Sequence, residues 1–138
     1  MKFMYRYTRL RVWFYRKFFS NIRKLKFTGK ILQATQFIGT GEIFAQNVEL
    51  GVFPSPYFTN GVGYIEARNT TAKIEILDNT FINNNFVMIA DRTKISIGRR
   101  CLIGTNFFVT DSDFHGLAIN NRTNGNYECL PVEIGDDV

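Results

Sequence analysis

The chain has 138 residues, 45% of them hydrophobic, with 14 Phe and only 3 Pro, which suits one folded domain and argues against wholesale disorder. No run of 18 apolar residues occurs, so no spanning helix is expected. The formal charge of +5 conceals an asymmetry: residues 1–30 hold ten of the 17 Lys/Arg and no acid, so all 12 Asp/Glu fall in the remainder. The basic balance therefore belongs to a head, and it does not mark the acidic body as nucleic-acid-binding.

Residues 1–30 form the first segment, read as a basic aromatic helix. Phe3, Tyr7, Leu10, Phe14, Phe18 and Leu25 fall on one face at helical spacing, while Tyr15 and Phe19 keep the opposite face from being cleanly polar. Three readings stand open: packing on its own domain or a neighbouring subunit, docking on an anionic membrane, and nucleic-acid binding, for which no motif is present. The segment lacks the uninterrupted apolar stretch of a secretory signal, so a cytoplasmic setting is expected, with peripheral contact at the inner face of a membrane in the docking reading.

From residue 31 an apolar residue followed by a small or polar one recurs every six positions. The first run is Leu32-Gln33, Ile38-Gly39, Phe44-Ala45 and Leu50-Gly51. After an irregular segment from Phe53 to Gly63, the frame resumes at Ile65-Glu66 and runs to Ile89-Ala90. It slips by two, continues through Ile97-Gly98, Ile103-Gly104 and Val109-Thr110, and returns once at Ile134-Gly135. Thr71 and Asn83 occupy apolar slots of this frame. A period of six matches neither a helix nor a plain alternation; it calls for a short strand and a corner in each unit, stacked so that inward residues bury a continuous column. The expected fold is an all-β solenoid over 31–138, with loops ejected near 53–64 and 110–133.

The second loop carries Thr110-Asp111-Ser112-Asp113-Phe114-His115-Gly116, and His115 is the only histidine. It is the one side chain whose ordinary pKa lies near neutrality. Asp111 or Asp113 could hold the imidazole in one tautomer, Asp113 being nearer in sequence. Asp111-Ser112-Asp113 is also a DxD, a weak signal without an alternating strand–helix pattern. Asn69-Thr70-Thr71 and Asn121-Arg122-Thr123 match a glycosylation acceptor that a cytoplasmic chain would not use. Cys101 and Cys129 have no CxxC spacing, hence no zinc or disulfide signature, and Cys101 is expected as an inert core thiol.

The repeat, with Phe81-Ile82-Asn83-Asn84-Asn85, Ile97-Gly98-Arg99-Arg100-Cys101-Leu102-Ile103-Gly104, Asp111-Ser112-Asp113-Phe114-His115 and Pro131-Val132-Glu133-Ile134-Gly135-Asp136-Asp137-Val138 in that order, resembles the hexapeptide-repeat acyltransferases. The closer similarity is to the branch of maltose- and galactoside-type O-acetyltransferases and their polysaccharide-modifying relatives. The resemblance implies a left-handed parallel β-helix with three flat faces, a homotrimer, acetyl-CoA as acyl donor and a sugar hydroxyl in a surface-polysaccharide precursor as acceptor, with no metal and no nucleic acid. It implies His115 as general base and Asn84 and Asp91 as acceptor-binding residues, Asn83 and Asn85 competing with Asn84 for the register; Asp111 joins that acceptor-side group. Family members continue past the Ile-Gly-Asp-Asp-Val motif with Trp-Ile-Gly and further coils that wall the donor cleft, so a C-terminally truncated protein is expected. The alternative function is a truncated, non-catalytic scaffold or assembly module.

Overall fold

The computed structural model describes residues 2–138. One helix, α1 (Lys2–Phe18), precedes eleven strands: β1 (Lys24–Ile31), β2 (Thr35–Gly39), β3 (Glu42–Leu50), β4 (Gly63–Ala67), β5 (Lys73–Ile76), β6 (Phe81–Ile82), β7 (Val87–Ala90), β8 (Lys94–Ile97), β9 (Leu102–Ile103), β10 (Phe108–Thr110) and β11 (Val132–Ile134). All their ladders are parallel. They form two sheets, one of seven strands and one of four ordered β10-β7-β4-β2.

The seven-stranded sheet curls because β3 serves two rows. Its first half pairs with β5 and its second half with β6, and Asn47 between them sits at φ 51°. The chain therefore runs through three rows of strands, a path compatible with a solenoid. Side chains stack down each row in register. Leu25, Ile43, Ile74, Ile95 and Val132 form one column; Ile31, Leu50, Ile82 and Ile103 form a second; Phe37, Ile65, Met88 and Val109 form a third. Alternation within each short strand sends the intervening residues outward.

The spacing keeps six per unit where β1 meets β3, Leu25 pairing with Ile43 at an offset of 18, and exceeds it further along the stack. Ile74 pairs with Ile95, Phe81 with Leu102 and Val87 with Phe108, each an offset of 21 residues. The surplus over three sixes goes into corners that turn through left-handed residues: Asn79 (φ 60°), Asn85 (62°), Arg100 (57°) and Asn106 (60°). Asparagine tolerates this region because its short polar side chain bonds locally. Here those side chains also bond along the stack, Asn47 Nδ2 donating to Asn79 Oδ1 at 2.8 Å and Asn85 Nδ2 to Asn106 Oδ1 at 2.7 Å. The six-residue frame is consequently displaced by one over several units. Ala45, Ala72, Asn84 and Ala90 point inward and are buried, whereas Thr71 is exposed and Asn83 only half-buried. The two apolar-slot exceptions are thus not interior residues. Cys101 is fully buried, its thiol donating to the Gly135 carbonyl at 3.1 Å.

The head is shorter than the expected segment of 1–30, since Lys24–Ile31 is already a strand of the stack. Residues 20–22 close the free edge of β2: Ser20 Oγ accepts the Phe37 amide (3.0 Å), and the Asn21 and Ile22 amides donate to the Phe37 carbonyl (3.0 and 3.2 Å). Covering an edge in this way removes a template for unwanted strand pairing. Helix α1 packs through Thr8, Arg11, Val12 and Tyr15. Arg11 donates to the carbonyls of Thr59 and, at 3.1 Å, Gly61, and Tyr5 meets the Phe53 ring edge-on. The face it buries is not the Phe3–Tyr7–Leu10–Phe14–Phe18 stripe, which lies outward. No described helix is long and apolar enough to cross a membrane.

Candidate functional site

Between β10 and β11 the chain leaves the stack, so that Ile95 of β8 pairs with Val132 at an offset of 37 residues instead of 21. The excursion is closed at its base. Ser112 and Cys129 form an antiparallel bridge, and the Leu130 amide donates to the Asp111 carbonyl at 2.9 Å. Ser112 Oγ accepts the Phe114 amide at 2.9 Å, a local turn that explains the Asp-Ser-Asp sequence. Phe114 is held at φ 61°, costly for a bulky residue by about 1–2 kcal/mol. Its ring lies 4.7 Å from the Arg68 guanidinium, which anchors the turn.

His115 follows, exposed to solvent. Its Nδ1 lies 3.2 Å from the Gly116 carbonyl, and no hydrogen bond joins it to Asp113 among the described residues. A neutral ring that donates Nδ1–H to this carbonyl leaves Nε2 as an acceptor. Gly116 is required by close approach: a Cβ there would lie 2.6 Å from the Asn121 Cβ. His115 and Asp113 share one shallow cleft of about 250 Å³ with Asn121, Tyr127 and Glu128. A larger groove of about 640 Å³ lies along β1, β3, β5 and β8, but it holds none of the excursion and is lined by paired lysines and glutamates such as Lys24–Glu42 at 3.4 Å. The smaller cleft is taken as the candidate site because it holds the imidazole.

The other residues picked out in the sequence are engaged elsewhere. Asn84 is buried and serves the first ejected loop: its Nδ2 donates to the carbonyls of Val52 (2.9 Å) and Pro56 (2.8 Å), and its Oδ1 accepts the Val52 amide at 3.1 Å. Asp111 is a corner cap. Its carboxylate accepts the amides of Asp91 (2.6 Å), Thr93 (2.8 Å) and Arg92 (3.2 Å) and the Thr93 hydroxyl (2.8 Å). Burial alone would raise its pKa, but these donors outweigh burial and hold it below the usual carboxylate value.

Asp91 is buried at the centre of a polar cluster that the sequence reading missed. Its Oδ1 accepts Asn69 Nδ2 at 3.0 Å and faces Arg68 at 3.7 Å; its Oδ2 accepts the Tyr127 hydroxyl at 3.0 Å and faces Arg92 Nε at 3.3 Å. Arg92 also stacks over the Tyr127 ring at 4.4 Å. Asp91 thus lies behind the His115 cleft, separated from it by Tyr127. Glu66 completes the cluster, accepting from the Tyr64 hydroxyl at 3.0 Å and from Arg68 at 2.9 Å. Burial, then the Glu66 carboxylate, raises the Tyr64 pKa, and the Glu66 bond raises that of Arg68. Burial, with the neighbouring Asp91 carboxylate, also pushes the Cys129 thiol up, which favours its protonated form. The members of this cluster come from three separate stretches, residues 64–69, 91–92 and 127, and no sequence pattern links them.

Among the described residues, no group of three or more His, Cys, Asp or Glu could hold a metal ion. No family model, curated protein or solved structure matches the chain.

Proposed function

We propose that the chain is an O-acetyltransferase built as a left-handed parallel β-helix of hexapeptide-derived repeats. It moves an acetyl group from acetyl-CoA to a sugar hydroxyl in a surface-polysaccharide precursor, works as a homotrimer and uses His115 as general base. The supporting observation is the placement of His115. The chain's one imidazole stands exposed on an ejected loop, with Nδ1 against a backbone carbonyl and Nε2 without a hydrogen-bond partner among the described residues. In this reading Nε2 takes the proton of the acceptor hydroxyl as its oxygen attacks the thioester carbonyl. Collapse of the tetrahedral intermediate breaks the carbon–sulfur bond, and the imidazolium returns the proton to the departing thiolate. Asp113, across the same cleft, stabilises the transient imidazolium through space. Acetyl-CoA enters as a substrate, and no residue of the chain is assigned to it.

The alternative, a non-catalytic scaffold, draws support from Asn84, Asp91 and Asp111, whose polar atoms are taken up by internal hydrogen bonds. Thiol release from acetyl-CoA with a panel of sugar acceptors separates the two. Wild type should turn over, and His115→Ala should lower the rate by about 10²–10⁴-fold with an unchanged fold. Full activity in that variant rejects the base assignment, and failure of a folded wild type to bind acetyl-CoA in calorimetry favours the scaffold.

A further inference from the structure

Helix α1 turns an apolar stripe away from the body it is clamped to. Phe3 is 83% exposed, Leu10 62% and Phe18 60%, and Tyr7 and Phe14 between them are exposed as well. At 100° per residue these five share one face, and Arg6, Arg9 and Lys17 follow along one flank with Trp13 among them. None of these three cations is in an ion pair among the described residues, and residues 1–30 contain no acid. Arg11, bordering the stripe, and Tyr5, on the far side, fix the helix to the Phe53–Gly61 loop, so the stripe is presented by a seated helix.

We infer that this face docks the protein on an anionic membrane surface, with the helix lying in the interfacial plane. A continuous apolar stripe bordered by cations and a tryptophan fits the boundary between acyl chains and anionic headgroups. A nucleic acid would engage the cations but leave Phe3, Leu10 and Phe18 in water. Antiparallel two-fold pairing with a second copy would bring the same row of cations against itself. The inference does not rest on acetyl transfer.

Trp13 is the only tryptophan and is itself 56% exposed, so its emission reports burial of this face. The full chain is mixed at low salt with vesicles of 1:1 phosphatidylcholine and phosphatidylglycerol, and with phosphatidylcholine vesicles alone. Co-sedimentation and a blue shift are expected with the anionic vesicles only, fading near 0.5 M salt as charges are screened. Arg6→Gln with Lys17→Gln should weaken partitioning by about 25-fold, about fivefold per cation. Leu10→Ser with Phe14→Ser should abolish the blue shift while far-ultraviolet dichroism is unchanged. The inference is overturned by no partitioning at low salt, or by partitioning that survives Leu10→Ser/Phe14→Ser. A concentration-dependent blue shift without lipid, or an equal shift with a single-stranded oligonucleotide, overturns it too. Should the serine variant misfold, the charge variant decides alone, and unchanged partitioning there rejects the inference.

Discussion

Asp111 accepts the backbone amide of Asp91 at 2.6 Å, so one carboxylate shapes the corner on which the other sits. Both belonged to the acceptor-side group suggested by the sequence, and the structure gives them successive structural duties. Asp111 organises residues 91–93, and Asp91 then receives the return limb of the excursion through Tyr127.

Acid stability should follow from this cap. The Asp111 carboxyl is held below its ordinary value of 3.8, so its ionised form stabilises the fold. That contribution is complete above the unfolded value and is lost as pH falls through the lower, folded one. Asp111→Asn is therefore expected to flatten the loss of stability on acidification below about pH 4. Asp111→Ala, which orphans several donors, should cost about 3 kcal/mol near neutrality. Urea unfolding at a series of pH values measures both, and an acid limb unchanged in the asparagine variant would contradict the assignment.

Tyr127 ties the excursion to the body by one charged hydrogen bond and by stacking under Arg92. Tyr127→Phe keeps the ring and removes the hydroxyl, at a cost of about 1–2 kcal/mol. Amide exchange should quicken across residues 113–128 and stay unchanged in β7 and β8. Uniform quickening would mean that the bond supports the whole stack instead.

The left-handed corner at Asn79 offers a backbone test. Asn79→Ala adds the steric penalty of that conformation and removes the bond from Asn47, for about 1–2 kcal/mol in total. Asn79→Gly loses the bond alone and should be the milder change. Equal denaturation midpoints for the two variants would show that the conformational penalty is not felt there.

For His115 the Gly116 carbonyl, 3.2 Å from Nδ1, favours one observable tautomer. In nitrogen NMR at alkaline pH, Nδ1 is expected to carry the proton and Nε2 the lone pair. The opposite tautomer would remove the geometric basis for Nε2 as base. Asp113→Asn should leave the assignment unchanged, since no hydrogen bond links that side chain to the ring.

The short stacked strands were legible in the sequence, because apolar residues recur with turn residues between them. The longer intervals, 21 residues between several strand pairs and 23 between β4 and β7, were not. Corner residues such as Asn79, Asn85 and Asn106 are polar, and a count of apolar beats cannot tell a corner from an outward strand position. The same ambiguity displaced Asn83 and Asn84 by one. For α1 the apolar periodicity was real, but aromatic residues lie on both sides, and only the docking of Thr8, Arg11, Val12 and Tyr15 decides which side is buried. The Asp91 cluster joins residues from three distant stretches, and pairings of that kind leave no local pattern.

The bridge between Ser112 and Cys129 has a further consequence. It brings the two ends of the His115 segment together, so the stack below is indifferent to how long that segment is. The peptide between Phe114 and Tyr127 can therefore vary in length while β8 and β11 keep their alignment, provided that those two residues keep their places against Arg68, Asp91 and Arg92.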